Sequence, residues 1–348
     1  MNRNEIIEKL SLSEAEQLAA LYAEADAVKS STIGNKVYFR GLIEFSNVCA
    51  KNCYYCGIRR ENQAVERYEV SDEEVLAAVD FAWKNRYGSV VLQSGEQQSA
   101  RFTQRITTLL HSIKQHTRNE IGITLSCGEQ SVETYREWFE AGAHRYLLRI
   151  ETSDKDLYHK IHPNNLLHSY EKRLEAIRSL QKIGYQTGTG VMIGLPFQTI
   201  ENLADDILFF KNLDVDMIGM GPYVEHSDTP LYEYKDSLCP LTERFNLTLK
   251  MIAICRIMFK DINIVASTAM QAIDAIGREK AIKAGANIIM PNLTPQKYRE
   301  NYLLYQNKPC TNEEAYQCKK CLENRIRLTG HSIGYGEWGD AKHYFNRQ

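Results

Sequence analysis

The sequence predicts an α/β fold, a (β/α)8 barrel of the TIM type with an N-terminal helical lead and a C-terminal extension. Eight short apolar segments alternate with longer amphipathic ones, and such repeated strand–helix units require parallel strands with right-handed crossovers. Gly142, Gly184 and Gly285 each follow a helical segment, where a C-terminal glycine is expected. No linker rich in Pro, Gly or Ser divides the sequence, which favours one domain. The alternative is an open six-stranded barrel with separate C-terminal structure.

The elements follow in order along the chain. A helical lead over Asn4–Ser30 shows Glu and Leu at helical spacing. The predicted strands are Val37–Phe45, Ser89–Gln93, Gly122–Ser126, Arg145–Ile150, Gln186–Ile193, Met217–Met220, Asn263–Ser267 and Asn287–Met290. Amphipathic patterns predict intervening helices over Asp72–Asn85, Ser131–Ala141, Glu171–Lys182, Thr199–Leu213 and Leu241–Phe259. We expect a single domain over residues 1–348, with the lead at 1–35, the barrel at 36–295 and the extension at 296–348.

The composition excludes several classes of protein. In 348 residues, 42 Lys and Arg oppose 44 Asp and Glu, so there is neither a nucleic-acid-binding charge balance nor a polyacidic tail. The longest apolar runs have the size of strands, and the first residues lack the apolar core of a signal peptide. We therefore expect a cytoplasmic protein that binds neither nucleic acid nor a membrane. In that compartment nine cysteines favour metal ligands or buried apolar residues over disulfides.

The densest cysteine motif is a C-x3-C-x2-C run of Cys49, Cys53 and Cys56, directly after the first predicted strand. Three thiolates can hold three irons of a [4Fe–4S] cubane and leave the fourth iron without a protein ligand, whereas electron-transfer clusters usually have four cysteines. A zinc site is the alternative, but zinc prefers four ligands and no fourth Cys or His lies nearby in sequence. The run therefore predicts a [4Fe–4S] cluster with one open iron.

A second cysteine set, Cys310, Cys318 and Cys321, has the spacing C-x7-C-x2-C and follows the last predicted strand. It can hold a second iron–sulfur cluster, [2Fe–2S] or [4Fe–4S], or a zinc, or it can be an unoccupied remnant; we expect metal binding. Because the set lies beyond the barrel rim, we expect it to conduct electrons or to stabilise the fold, and not to take part in the reaction itself. The isolated Cys127, Cys239 and Cys255 are interpreted as structural residues.

Polar residues recur where the predicted strands end. Ser94-Gly95-Glu96 follows the second strand, Arg149 and Glu151 end the fourth, and Ser267-Thr268-Ala269-Met270 ends the seventh. In a barrel the C-terminal ends of all strands meet at one rim, and that rim carries the chemistry. Arg149 and Glu151 are two residues apart, so their side chains leave the same face of the strand. An ordinary ion pair between them is the alternative to ligand binding.

The cysteine run and these strand-end motifs resemble those of the radical SAM enzymes. In that superfamily the open iron is chelated by S-adenosylmethionine (SAM), and one electron from the cluster frees a 5′-deoxyadenosyl radical. The resemblance implies that SAM and a [4Fe–4S] cluster are the cofactors, and that no residue beyond the cluster is catalytic. It assigns SAM binding to Tyr55, Ser94, Gly95, Glu96, Arg149, Glu151, Arg173 and Met192.

Each of these residues matches a part of the superfamily pattern. Tyr55 is the aromatic residue before the last cysteine, whose backbone would lie near the adenine. Ser94-Gly95-Glu96 is similar to the Gly-Gly-Glu turn whose carbonyls accept hydrogen bonds from the SAM ammonium. Arg149 and Glu151 would grip the methionine end or the ribose.

Two further parts of the pattern lie on the next helix and strand. Arg173 would bind the SAM carboxylate, because a planar guanidinium suits bidentate recognition. Met192 belongs to the glycine-rich segment Thr189–Pro196, which resembles a strand that lies against the adenine.

Longer motifs resemble the HydE family of [FeFe]-hydrogenase maturases, in the biotin synthase-like group of radical SAM enzymes. They include Glu-Phe-Ser-Asn-Val-Cys, Arg-Tyr-Leu-Leu-Arg-Ile-Glu-Thr and Met-Pro-Asn-Leu-Thr-Pro, and the resemblance spans about Val37–Cys321. It implies an oxygen-sensitive maturase whose adenosyl radical attacks the sulfur of a cysteine-bound Fe(CO)2(CN) precursor during assembly of the hydrogenase active site. It further implies a small organometallic or amino-acid-derived substrate, a low-potential electron donor and other hydrogenase maturases as partners. The substrate pocket would be lined by Ser267, Thr268, Met270, Tyr302 and Tyr305.

Two other functions remain open on the sequence. A radical SAM amino-acid mutase such as methylornithine synthase would share the barrel and the first cysteine motif, but its reaction does not require the C-terminal cysteines. A non-catalytic iron–sulfur carrier would leave Glu96, Arg149, Glu151 and Arg173 without an evident purpose.

Overall fold

The computed structural model describes residues 1–311 and 315–347, with side chains except for those of residues 315–320. The strands are β1 Lys36–Ser46, β2 Ser89–Ser94, β3 Gly122–Ser126, β4 Arg145–Leu147, β5 Gln186–Thr189, β6 Met192–Ile193, β7 Met217–Ile218, β8 Gly221–Pro222, β9 Asn263–Ile264, β10 Ile288–Ile289 and β11 Ser332–Ile333. Eight of them form one parallel sheet in the order β10-β1-β2-β3-β4-β5-β7-β9. The short strands β6 and β8 pair with each other, and β11 pairs with the start of β1.

The sheet curls so that its last strand returns to its first. Past the end of β9, Val265 forms a parallel bridge to Ile288 of β10, and β10 pairs in turn with β1. The amide of Asn287 donates to the carbonyl of Ile264 at 2.9 Å, which continues this ladder. The predicted (β/α)8 fold is therefore confirmed, and the alternative of a six-stranded barrel is wrong.

Helices cover the outside of the barrel. They are α1 Arg3–Leu10, α2 Ala15–Thr32, α3 Asp72–Lys84, α4 Ala100–His116, α5 Val132–Glu140, α6 Lys155–Ile161, α7 Tyr170–Ile183, α8 Ile200–Leu213, α9 Leu241–Phe259, α10 Thr268–Ile273, α11 Gly277–Lys283, α12 Gln296–Arg299, α13 Ala315–Leu328 and α14 Lys342–Asn346, with 3-10 turns at Leu166–His168 and Pro230–Ser237. The lead expected as one helix is two, α1 and α2. Among the described helices, none combines the length and the apolar character needed to cross a membrane.

Several predicted strands are shorter in the structure. The fourth ends at Leu147, and the predicted fifth strand divides into β5 and β6. The division occurs at Gly190, where a Cβ would overlap the carbonyl of Gly219. At the same level Glu151 pairs with Val191 in an isolated bridge, so the backbone leaves the regular ladder as it approaches the rim. The expected helix ends are confirmed at Gly142, Gly184 and Gly285, since all three have positive φ.

Residues 338–341 close the N-terminal end of the barrel, and we call this segment the floor. The Trp338 carbonyl accepts a hydrogen bond from Ser89 Oγ at 2.8 Å, and the Gly339 carbonyl accepts one from Arg40 Nη2 at 2.9 Å. Asp340 pairs with the buried Arg145. Because Ser89 and Arg145 begin strands β2 and β4, the floor satisfies polar groups at the base of the sheet.

Candidate active site

The three cysteines of the first motif lie on one loop at the C-terminal end of β1. The loop is held by backbone hydrogen bonds from Ala50 to the Glu96 carbonyl at 2.8 Å and from Gly57 to the Leu304 carbonyl at 3.0 Å. Gly57 directly follows the last cysteine, and a Cβ there would overlap the carbonyl oxygen of Leu303. The loop is therefore packed between the end of β2 and the C-terminal extension.

The electrostatics of the thiols fit an iron–sulfur cluster. Burial raises the pKa of Cys49, Cys53 and Cys56, to about 12 for Cys53, and neighbouring cysteines raise it further for Cys53 and Cys56. Three thiolates that raise one another's pKa in a half-buried loop need positive charge, which iron supplies. Within the described part of the chain, no three Cys, His, Asp or Glu side chains are arranged to hold a metal ion together. A cubane instead distributes its thiolates over different iron atoms, so it does not need such a compact group.

The turn Ser94-Gly95-Glu96 lies against the cysteine loop. A Cβ on Gly95 would lie 2.8 Å from the Cβ of Cys49 and would overlap the carbonyl of Val48, so only glycine fits. The Glu96 amide donates to Cys49 Sγ at 3.3 Å. The structure thus places this turn beside the first cysteine, where the SAM-binding role remains a prediction.

Four charged side chains form a buried network beneath this turn: Lys51, Glu96, Glu129 and Arg173. Lys51 Nζ lies 3.1 Å from a carboxylate oxygen of Glu96 and 3.1 Å from one of Glu129. Arg173 Nε lies 2.5 Å from Glu129, and Arg173 Nη2 lies 3.7 Å from Glu96. Burial raises the pKa of Glu96, while the charges of Arg173 and Lys51 oppose the rise. Two cations therefore balance two carboxylates.

This network qualifies the expectation for Arg173 and adds two residues. The Arg173 guanidinium is already paired with protein carboxylates, so its binding to a SAM carboxylate stays a prediction. Lys51 and Glu129 were not predicted as site residues. Their signals were present, since Lys51 lies between two cysteines of the motif and Glu129 follows the end of β3.

Arg149, Glu151 and Met192 come together beyond the end of β4, two strands along the sheet from the strand that precedes the Gly95 turn. Arg149 Nη2 lies 3.0 Å from Glu151 Oε2 and donates to the Val191 carbonyl at 2.9 Å. The amide of Met192 donates to the Glu151 carbonyl at 3.0 Å. Glu151 has φ +69°, an uncommon conformation for a residue other than glycine. The ion pair left open by the sequence is therefore present, and its role in ligand binding remains a prediction.

Tyr55 is half-buried next to a group of aromatic residues that the sequence analysis did not identify. Its hydroxyl lies 3.1 Å from His162 Nε2, and His162 stacks on Tyr158 with ring centroids 4.0 Å apart. Burial raises the pKa of Tyr55 well above its ordinary value and lowers that of His162. His168 accepts a hydrogen bond from the amide of Asn52 at 2.9 Å, and this contact helps to hold the cysteine loop in place.

The five predicted substrate residues lie around the same end of the barrel. Ser267 immediately precedes α10, and Met270 within that helix is fully buried. Tyr302 accepts a hydrogen bond from Gln93 at 3.2 Å. Burial and the charge of Glu44 raise the pKa of Tyr305, and the charge of Arg149 lowers it. Thr268 begins α10 and is half-buried.

A buried ion pair holds the segment that carries Tyr302 and Tyr305. Lys308 Nζ lies 2.5 Å from Glu44 Oε1 and donates to the carbonyl of Tyr302 at 2.8 Å. Glu44 and Lys308 were not predicted as site residues. Their pairing could not be read from two positions 264 residues apart.

Only part of the second cysteine set can be described. Cys310 has φ +65° and is half-buried, while Cys321 is exposed on α13. The side chain of Cys318 lies outside the described residues. Cys127 and Cys255 are fully buried, which agrees with their interpretation as structural residues, and Cys239 is half-buried.

Residues 43–210 match the family model described as the radical SAM superfamily. The barrel and its three-cysteine loop thus define a radical SAM enzyme, a class whose cofactors are a [4Fe–4S] cluster and SAM. The chain is 42% identical over 343 residues to the [FeFe] hydrogenase maturase subunit HydE of Thermotoga maritima, covering 99% of this chain and 94% of that protein. The chain therefore belongs to the HydE family.

Three further comparisons agree with this fold. The chain is 30% identical over 288 residues to 3-methylornithine synthase of Methanosarcina acetivorans, covering 80% of this chain and 76% of that protein. The crystal structure of methylornithine synthase (PylB) matches with a TM-score of 0.81 at 26% identity and covers 96% of this chain and 94% of its own. The structure of HydG, a maturase of the [FeFe]-hydrogenase, shares the fold with a TM-score of 0.78 at 18% identity, over 96% of this chain and 73% of its own.

Proposed function

We propose that this protein matures an [FeFe]-hydrogenase by reductive cleavage of SAM. The observation that carries the proposal is the 42% identity to HydE over nearly the whole chain, together with a cysteine loop that packs on the Gly95 turn. The substrate would be the cysteine-bound Fe(CO)2(CN) precursor, with the cysteine sulfur as the point of attack. A low-potential electron donor and other hydrogenase maturases would be its partners.

The chain's own residues supply binding and protection. Cys49, Cys53 and Cys56 would hold the cluster, and the turn at Gly95 and Glu96 would bind SAM beside it. When bound, the cluster and SAM supply a one-electron cleavage that frees a 5′-deoxyadenosyl radical. The protein would contribute an environment that limits access of water and oxygen, since the cysteines, Tyr55 and Glu151 are all half-buried at the end of the barrel.

Arg149 and Glu151, after β4, and Met192, in β6, would position SAM as well. The Arg149–Glu151 pair offers one donor and one acceptor within 3.0 Å of each other, which suits a zwitterionic ligand. The buried charge network would hold the Gly95 turn and the cysteine loop in a fixed relative position. Its members are Lys51, Glu96, Glu129 and Arg173. No proton transfer by a protein side chain is required in this proposal.

The proposal is tested first by SAM cleavage. The protein is reconstituted with iron and sulfide without oxygen, reduced with dithionite and supplied with SAM, and 5′-deoxyadenosine is measured with and without the iron–carbonyl–cyanide–cysteine complex. We expect turnover to require that complex, and we expect Cys53→Ser to abolish both cleavage and the cluster's electron paramagnetic resonance signal. Cys239→Ser is the matched control, because that half-buried cysteine lies outside both sets.

Other outcomes would select another function. Turnover with lysine would support an amino-acid mutase, which the similarity to 3-methylornithine synthase makes a specific second candidate. A reconstituted cluster without any SAM cleavage would indicate an iron–sulfur carrier. Restored hydrogenase activity in cells that lack their own HydE would support the maturase.

We further propose that Cys310, Cys318 and Cys321 hold a second iron–sulfur cluster. Cys310 lies close in sequence to the segment with Tyr302 and Tyr305. Such a cluster would therefore stabilise the fold or conduct electrons beside the pocket. Iron analysis of Cys53→Ser and Cys321→Ser tests this, because each variant should lose the iron of one site only. Equal iron in Cys321→Ser and the unmodified protein would contradict it.

A further inference from the structure

Arg278 is a buried guanidinium that has no carboxylate partner among the residues that the structure describes. It lies in α11 and is 2% exposed, and its Nε forms no hydrogen bond with any residue that the structure describes. Its one described polar contact joins Nη2 to Cys310 Sγ at 4.0 Å, the outer limit for a hydrogen bond to sulfur. By contrast, Arg145, Arg173 and Arg244 face carboxylates. The fully buried Arg40 and Arg256 have no carboxylate in the described structure, but both donate to backbone carbonyls.

A buried charge of this kind is costly for a folded protein. Removing a cation from water is unfavourable unless an opposite charge and hydrogen bonds replace the lost solvation. Arginine stays protonated in proteins, so it does not escape the cost by losing its charge. The described residues supply no such charge to Arg278, and an anionic ligand bound at this place would supply it.

The surroundings of Arg278 indicate where that partner binds. Gly277 starts α11 against the carbonyl of Met270, where a Cβ would overlap the carbonyl oxygen, so Arg278 emerges beside the predicted substrate residues. Burial raises the pKa of the Tyr305 hydroxyl, and the charges of Arg278 and Arg149 both lower it, so both arginines lie near Tyr305. Ser267 Oγ and Gln271 Oε1, on the same segment, are also buried without a hydrogen-bond partner in the described structure.

We propose that Arg278 binds the carboxylate of an amino-acid-derived substrate at this end of the barrel. The inference rests on the proposed function, in which the substrate contains cysteine, and it adds a cation to a pocket otherwise predicted from hydroxyl and thioether groups. A guanidinium presents Nε and Nη donors in one plane, which matches the two oxygens of a carboxylate. Arg278 is thus a specificity residue and takes no part in the bond-breaking step.

Cys310 does not replace a carboxylate in this role. Its sulfur is at the limit of hydrogen-bond distance from Arg278, and its carbonyl accepts from Arg299 at 3.1 Å. If Cys310 were the partner of Arg278, loss of the guanidinium would weaken the folded protein or the second cysteine set. This difference makes the two roles separable.

The test compares Arg278→Met, Arg278→Lys and the control Lys280→Met in reconstituted, full-length protein. Lys280 is a cation on the same helix, but it faces outward and pairs with Asp274 at 2.6 Å. Binding of L-cysteine and of cysteine methyl ester is measured by calorimetry in the presence of SAM. We expect the unmodified protein and Lys280→Met to prefer L-cysteine.

For Arg278→Met we expect L-cysteine to bind roughly 10- to 100-fold more weakly and the preference over the ester to disappear. Arg278→Lys should recover part of the preference, because it keeps the charge but not the planar fork. The melting temperature of ligand-free Arg278→Met should be unchanged or higher, since a buried unpaired charge has been removed.

Two results would overturn the proposal. One is unmodified protein that binds the acid and the ester equally. The other is Arg278→Met with a lowered melting temperature or lowered iron content and an intact preference for L-cysteine, which would make Arg278 a structural partner of Cys310. Failure of SAM cleavage in the unmodified protein would instead contradict the proposed function, and the binding comparison would still decide the role of Arg278.

Discussion

The ammonium group of Lys51 lies 3.1 Å from a carboxylate oxygen of Glu129, although the two residues are 78 positions apart. Lys51 belongs to the loop that carries Cys49 and Cys53, and Glu129 follows the end of β3. Lys51 makes a second 3.1 Å contact with Glu96 after β2. One buried cation therefore joins the cysteine loop to the ends of two strands.

Replacing Lys51 with methionine should destabilise the protein. Glu96 and Glu129 would then share only Arg173, and removing one partner of a buried charge network typically costs about 3 to 5 kcal/mol. The free energy of unfolding of cluster-free protein, measured in urea, checks this. Lys155→Met is the control, because Lys155 and Glu171 form an exposed pair whose loss should cause no measurable change. Equal stabilities of the two variants would contradict the structural role of the network.

Gly57→Ala should reduce cluster binding. The added Cβ would overlap the Leu303 carbonyl and push the cysteine loop away from the C-terminal extension, and overpacking of this kind costs about 1 to 3 kcal/mol. Iron content and the electron paramagnetic resonance signal after reconstitution measure the effect. Gly219→Ala is a matched control, since its Cβ would make only ordinary contacts at 3.4 and 3.5 Å with Leu147. A Gly57→Ala protein with full iron content would show that the contact is not needed.

Asp206→Asn should make the protein more stable at neutral pH. Burial raises the pKa of Asp206 to about 7, against the hydrogen bonds that Ser153 donates to it at 2.6 Å. The folded state therefore binds a proton more tightly than the unfolded state, and stability falls as pH rises from about 4 to about 7. Asparagine keeps an acceptor for Ser153 without this dependence. We expect the variant to match the unmodified protein near pH 4 and to exceed it by up to roughly 4 kcal/mol at pH 8.

Thermal unfolding at several pH values measures this difference. A stability advantage that is constant across pH would show that Asp206 is not the titrating group. Lower stability at every pH would indicate that asparagine breaks the contact with Ser153, two residues beyond Glu151.

Asp340→Asn should weaken the base of the barrel. Asp340 pairs with the fully buried Arg145, and His144 Nε2 lies 3.2 Å away, so the variant would leave a buried cation without its anion, at about 3 to 5 kcal/mol. Burial alone would raise the pKa of Asp340, but His144 and Arg145 lower it. The stability that it contributes is therefore present above about pH 4 and lost as pH falls below that value.

The measurement is the difference in unfolding free energy between Asp340→Asn and the unmodified protein from pH 7 down to pH 2. The difference should shrink on acidification. Glu337→Gln serves as control, because its pair with Lys36 is exposed and should contribute little. A difference that does not change with pH would contradict the ionic role of Asp340.

Elements with a strong periodic signal were predictable from the sequence. Helix α9 has the predicted bounds, Leu241–Phe259, and the glycines at the ends of three helices adopt positive φ. The rim motifs were found because a barrel brings the ends of its strands to one face. The Gly95 turn and the cysteine loop are adjacent for that reason, although nearly forty residues separate them.

Pairings between distant side chains were not predictable. The partners of Lys51, Lys308 and Arg173 depend on exact side-chain positions in a closed barrel, and no local pattern records them. The floor at residues 338–341 also escaped prediction, because two of its contacts use backbone carbonyls and the third is the single carboxylate of Asp340, so it has no periodic pattern of side chains. The domain bounds stay a prediction, although the extension contacts both ends of the barrel.

The floor has a consequence for the order of events in a cell. Strands β2 and β4 emerge from the ribosome about two hundred residues or more before Trp338 and Asp340. During synthesis Ser89 and Arg145, at the starts of these strands, therefore lack these partners. A nascent chain would carry Arg145 uncompensated until translation passes residue 340. We therefore expect the base of the barrel to become fully paired only after residues 338–341 have been synthesised.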